Sequence, residues 1–90
     1  MKTKLSEEGI TTQVLQESLG KNVLVKLKGR RSVRGKIKGF DKQMNIVITE
    51  AIEMIELPSN NNNPEKAQYQ ESQVGDALIR GDNVITIAVL

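Results

Sequence analysis

Gly35-Lys36-Ile37-Lys38-Gly39-Phe40-Asp41-Lys42-Gln43-Met44-Asn45-Ile46-Val47-Ile48 is the stretch on which the fold turns. Val33, Gly35, Ile37 and Gly39 alternate there with Arg34, Lys36 and Lys38. A period of two marks a β-strand with one face toward a core and the other, here basic, toward water. Two inward positions are glycine, and a strand lacking side chains on its inner face can bend sharply or admit another backbone. Such bending predicts a small barrel in place of a flat sheet. Asp41-Lys42-Gln43 then forms a short loop into a strand from Met44 to about Met54, rich in Ile and Val and too long to stay flat.

Working outward, the same period holds upstream, where Val23, Val25 and Leu27 alternate with Asn22, Leu24 and Lys26. Lys28-Gly29-Arg30-Arg31 supplies the turn between these first two strands. Further upstream a helix is expected from Thr11 or Thr12, a hydroxyl N-cap, to about Leu19, with Val14, Leu15 and Leu19 on one side and Gly20 at its stop. Residues 1–10 are polar and aperiodic, which predicts a flexible tail. Downstream, the segment 57–72 contains Pro58, Pro64 and four consecutive asparagines, Asn60 to Asn63. It has too little apolar content to help build a core and is expected to be an extended flexible loop. A fourth strand from Gln73 to Ile79, a turn at Arg80-Gly81-Asp82-Asn83 and a fifth strand from Val84 to Leu90 complete the chain. The expected architecture is all-β: a strongly bent five-stranded antiparallel sheet, preceded by a short α-helix, in one domain over residues 11–90.

Composition narrows the chemistry. With 90 residues and 38% hydrophobic content, a single thin core is available, since a chain of this size buries only about 60–65% of its unfolded surface. There is no Cys and no His, which rules out disulfides, thiolate metal sites, and Ser-His or Cys-His nucleophile pairs. No apolar run approaches the roughly 20 residues of a membrane span, and Met1-Lys2-Thr3-Lys4-Leu5 lacks a signal-peptide core. A cytoplasmic, non-enzymatic protein without metal or cofactor, and without a membrane partner, is expected.

The net charge is only +2, but nine of the 13 basic residues fall between Lys21 and Lys42, with Asp41 the single acid among them. A concentrated basic segment attracts phosphate. A solvated strand face with a basic hairpin tip explains the same run, and charge alone does not separate the two.

The last strand, Val84-Ile85-Thr86-Ile87-Ala88-Val89-Leu90, carries no charge and no proline. Nothing blunts it if it lies at a sheet edge, and both its faces are largely apolar. Pairing with another subunit resolves both problems, and a head-to-tail contact repeated by rotation closes a ring. Cover by the N-terminal helix or by the 57–72 loop is the competing solution.

Some apparent motifs fail on inspection. Gly29 and Gly35-Lys36 imitate a phosphate-binding loop, but their spacing is one residue too long and Ile37 stands where Ser or Thr is required. Glu50, Glu53 and Glu56 are explained by a solvated segment more simply than by acid–base catalysis. Two other blocks form a specific pair: Gly35 to Ile48, running on to Glu50-Ala51, and Ile79-Arg80-Gly81-Asp82-Asn83-Val84-Ile85. Together they closely resemble the two halves of the Sm motif of the Sm and Sm-like (LSm) proteins, and Leu27-Lys28-Gly29-Arg30 matches as well. The similarity spans Thr11 to Leu90 in the same element order, with the 57–72 loop longer than in a minimal member. It points to the archaeal or eukaryotic branch.

This resemblance implies an open SH3-like small barrel whose fourth strand pairs with the fifth strand of the next subunit. The expected assembly is a homo-hexameric or homo-heptameric ring that binds single-stranded, U-rich RNA as a chaperone or RNA-processing scaffold, with RNA-processing proteins as further partners. Residue by residue, Asn45 matches the position that hydrogen-bonds the uracil edge, and Arg80 matches the guanidinium that stacks on the base. Asp82 matches the acid that orients that arginine. Gln43 stands where the family commonly has a histidine that stacks on the other face, a departure from the pattern. Asp41 is read as a turn former. Two alternatives stay open: a monomeric basic barrel binding duplex nucleic acid through Arg30, Arg31, Lys36 and Lys38, and a structural ring that binds proteins.

Overall fold

The computed structural model describes residues 4–5, 12–58 and 68–90. Its strands are β1 (Lys4–Leu5), β2 (Asn22–Leu27), β3 (Arg31–Phe40), β4 (Ile46–Glu56), β5 (Tyr69–Ile79) and β6 (Val84–Val89), with one helix, α1 (Thr12–Glu17), before β2. The strands form a single antiparallel sheet in the order β1-β6-β2-β3-β4-β5. Five long strands and a short helix match the expected architecture. The two-residue β1 is new, and it corrects the reading of residues 1–10 as tail throughout: Lys4 pairs with Ala88 and Leu5 with Ile87. The rest of that segment, Thr11 as one of the two N-cap candidates, and residues 59–67 of the expected loop lie outside the described residues.

Alternation builds most of the core. Val23, Val25 and Leu27 of β2 and Val33 and Ile37 of β3 point inward, joined by Ile46, Ile48 and Ala51 of β4, Ile79, Val84, Ile87 and the helical Leu15. The helix is shorter than expected. It gives way to a turn at Ser18, whose buried hydroxyl donates to the Val14 carbonyl at 2.9 Å. Leu19 is therefore outside the apolar stripe and exposed. Gly20 adopts φ +78°, and its N–H donates to the Ile37 carbonyl at 2.8 Å, which docks the helix end on β3.

Bulges bend the sheet. Along β3–β4 the register shifts between Arg34 and Lys36 and again between Ile37 and Gly39. Opposite the first shift, Glu50 takes a left-handed φ of +53°. A single extra residue in one strand of a pair kinks that strand and increases its twist. Gly35 permits a close approach: a Cβ there would run into the Ile48 Cγ2 and lie 2.7 Å from the Thr49 carbonyl oxygen. Gly39 makes no such close approach, since a Cβ there would meet nothing within 4 Å, and it lies instead at the second register shift. Another bulge falls in β6, where Lys26 pairs with Thr86 but Leu27 with Val84, leaving Ile85 unpaired in the ladder with β2 and exposed.

The expected loop is also shorter. Residues Tyr69 to Ser72, assigned to it from their polarity, belong to β5 and pair with Glu56 to Glu53 of β4. The Leu57 N–H donates to the Gln68 carbonyl at 2.8 Å and extends that hairpin. The Arg31 guanidinium forms an ion pair with Glu53 beside it.

Candidate functional site

The β3–β4 connection is organised by one carboxylate. Asp41 Oδ1 accepts the backbone N–H groups of Gln43 at 2.9 Å and Asn45 at 3.0 Å, and Asp41 Oδ2 accepts the Asn45 side-chain amide at 2.9 Å. The backbone closes the same turn, with the Asp41 N–H donating to the Asn45 carbonyl and the Met44 N–H to the Asp41 carbonyl, both at 3.1 Å. Met44 reaches its place through a left-handed φ of +64°. The Asn45 side-chain amide, followed by its backbone N–H, holds the Asp41 carboxyl below the ordinary carboxylate value.

A second element meets this loop from 36 residues further along the chain: the Gly81 N–H donates to Asn45 Oδ1 at 2.9 Å. Gly81 begins a 3-10 turn, Gly81–Asn83, between β5 and β6. The approach is close, since a Cβ on Gly81 would collide with the Gln43 carbonyl oxygen and lie 2.8 Å from that of Met44. The Asn83 N–H donates to the Arg80 carbonyl at 3.1 Å, and the Asn83 carbonyl accepts the Lys28 N–H at 3.0 Å, which ties in the β2–β3 turn. Arg80 and Asp82 form an ion pair at 3.1 Å, with both side chains largely exposed.

The four residues singled out from sequence thus lie on two adjoining connections. Asn45 joins them, Arg80 and Asp82 pair within one, and Gln43 is exposed on the other, tied in through its backbone. Asn45 keeps unused capacity in these contacts: a carboxamide offers two N–H donors and two acceptor lone pairs, and one of each is engaged. Sequence reasoning undervalued two residues. Asp41 forms the expected turn, and it also fixes the orientation of the Asn45 amide. Gly81 was read as part of a turn, and its role as a steric necessity has no sequence signal beyond being a glycine three positions before an apolar strand.

The chain matches the family model described as the LSM domain over residues 13–89. It is an LSM-domain protein. Its similarity to other LSM-type chains is broad: it is 39% identical over 75 residues to an snRNP Sm-like protein of Thermoplasma acidophilum, covering 83% of this chain and 77% of that one. It is 40% identical over 75 residues to an snRNP Sm-like protein of Thermococcus sibiricus, covering 83% and 84%. Among solved structures, a heptameric archaeal Sm protein superposes with a TM-score of 0.66 at 32% identity, covering 87% of this chain and 97% of that one. The Pyrococcus abyssii Sm protein in complex with a uridine heptamer superposes with a TM-score of 0.66 at 31% identity, covering 90% and 99%. The LSM match takes in β2 to β6 and all but the first residue of α1, and it leaves β1 outside.

Proposed function

We propose that this LSM-domain chain assembles into a homo-oligomeric ring of six or seven subunits that binds single-stranded, U-rich RNA in the cytoplasm, without a covalent step, as a chaperone or scaffold that also meets RNA-processing proteins. The observation that carries the reading is Asn45. Its carboxamide is fixed on both sides by Asp41 and Gly81, yet one N–H and one lone pair remain for a ligand. A uracil edge presents an N–H beside a carbonyl oxygen, the complement of that pair. The Arg80 guanidinium, held by Asp82, is an exposed planar cation suited to covering a base face.

Assembly is supported by β5, at one end of the sheet, and by β6, which only the two-residue β1 separates from the other end. β5 is exposed along nearly its whole length, with Val74 and Leu78 open to solvent, and β6 exposes Ile85. Pairing β5 of one subunit with β6 of the next would bury these apolar groups, and a heterologous contact of this kind closes into a ring. Native mass measurement with oligo(U) and oligo(A) tests both parts. Rings that take up oligo(U) in preference to oligo(A) support the reading, and a monomer at micromolar concentration overturns it. Leu78→Lys is the variant to break the ring, because Leu78 is 69% exposed while Ile87 is 1% exposed and a charge there would unfold the subunit.

A further inference from the structure

β6 is the strand through which the proposed ring would close, and one of its two edges is already taken by β2, from Val23–Val89 to Leu27–Val84. The other edge carries β1, with Lys4 opposite Ala88 and Leu5 opposite Ile87. A neighbouring subunit's β5 needs this same edge. We propose that the Lys4–Leu5 segment is an intramolecular strand competitor: it occupies the outer edge of β6 in the free subunit and is displaced by β5 of a neighbour as the ring forms. This inference rests on the ring reading above.

The geometry suits exchange. Among the described residues β1 pairs with positions 87 and 88 only, and Val84 to Thr86 have no partner on that edge, which gives an incoming strand its start. The competitor is two residues long and β5 is 11, so the longer ladder prevails once subunits are concentrated. In dilute subunits the short strand still matters. β6 has no charge and no proline of its own, and an open edge of that kind templates indiscriminate pairing with other chains. Main-chain pairing with β1 covers part of that edge and raises the subunit concentration at which assembly begins. The competitor lies before residue 13, where the LSM match begins, so the guard is an addition to the domain and can be changed without altering the core.

The test is the full-length chain carrying Lys4→Pro and Leu5→Pro together, which removes both backbone donors, with a Lys4→Gly, Leu5→Gly pair as a milder second variant. The concentration of half-assembly, followed by native mass spectrometry, should fall by about five- to tenfold per interface in the proline variant, the worth of one or two backbone hydrogen bonds. Amide exchange at Ile87 and Ala88, measured in a Leu78→Lys background that keeps subunits apart, should be faster in the proline variant. Rings with equal half-assembly concentrations, or equal exchange at both positions, would overturn the competitor and leave the ring standing. Absence of rings in every version would instead remove the ring reading, and the competitor with it.

Discussion

The Gly81 N–H donates to the Asn45 carboxamide oxygen at 2.9 Å, joining two connections that are 36 residues apart in the chain. Neither end of this contact tolerates much change. Asn45 is oriented from behind by Asp41, and Gly81 stands against the main chain of Gln43 and Met44 with no room for a Cβ. The base-facing groups of the proposed site are therefore placed by hydrogen bonds in loops anchored at the ends of β3, β4, β5 and β6. Preorganisation of this kind lowers the ordering cost of binding.

Asp41 gives the site a pH dependence with a definite sign. Its folded-state pKa is depressed, first by the Asn45 amide, from an ordinary value of 3.8. Its contribution to stability is therefore fully present above the unfolded value and is lost as pH falls through the folded one. The difference in urea midpoint between wild type and Asp41→Asn should be constant near neutral pH and shrink below 3.8. A difference that stays constant to pH 2.5 would contradict the assignment.

Gly35 and Gly39 should respond in opposite ways to alanine. Gly35→Ala forces a Cβ into Ile48 and the Thr49 carbonyl, and overpacking of this kind costs about 1–3 kcal/mol. Each kcal/mol lowers the melting temperature of a domain this size by about 4–8 °C. Gly39→Ala meets open space and should leave the melting temperature unchanged or slightly raised, through a less flexible unfolded chain. Calorimetry on the two variants checks the pair.

Arg80→Ala should weaken oligo(U) binding at least tenfold, since it removes a stacking surface and a charge from every pocket. Lys36→Ala removes only an exposed cation whose Glu50 partner is 3.9 Å away, and it should act mainly through the salt dependence of binding. Titrations at two salt concentrations distinguish them. Equal losses from both changes would replace a base pocket with general electrostatics.

Gln43→His tests the other face of the base. Stacking on an aromatic ring contributes about 1–3 kcal/mol per base, and a small amide supplies only part of that. The variant should bind oligo(U) at least about fivefold tighter, with a further gain below pH 6.5 where an imidazolium attracts phosphate. The gain should disappear when Arg80 and Asn45 are both alanine. Unchanged affinity in a variant that still forms rings would place residue 43 outside the pocket.

The strands from Asn22 to Leu27 and from Arg31 to Phe40 were legible because Val, Leu and Ile alternate there with Lys and Arg. What escaped were single-residue irregularities. Glu50 at positive φ and the skipped Ile85 each shift a strand's inward set by one residue, and no propensity marks a bulge. Tyr69 to Ser72 escaped for a different reason. They are exposed and polar, and they are held by their ladder with β4 instead of by burial. β1 pairs through main chain too, and Lys4-Leu5 carries no period. For the proposed site, Arg80, Asp82 and Asn45 stand out in the sequence through two motif blocks. The contact that unites them depends on a three-dimensional closure that spacing does not reveal.

The hairpin between β4 and β5 has an engineering consequence. The Leu57 N–H and the Gln68 carbonyl close it at 2.8 Å, and the ladder below runs from Glu56–Tyr69 to Ile46–Ile79. Peptide cargo spliced between residues 58 and 68 would enter and leave through ends already clamped together, so its length need not propagate into the barrel. An epitope or fluorophore-binding tag placed there would be displayed once per subunit, and a closed assembly would present it as a symmetric, multivalent array.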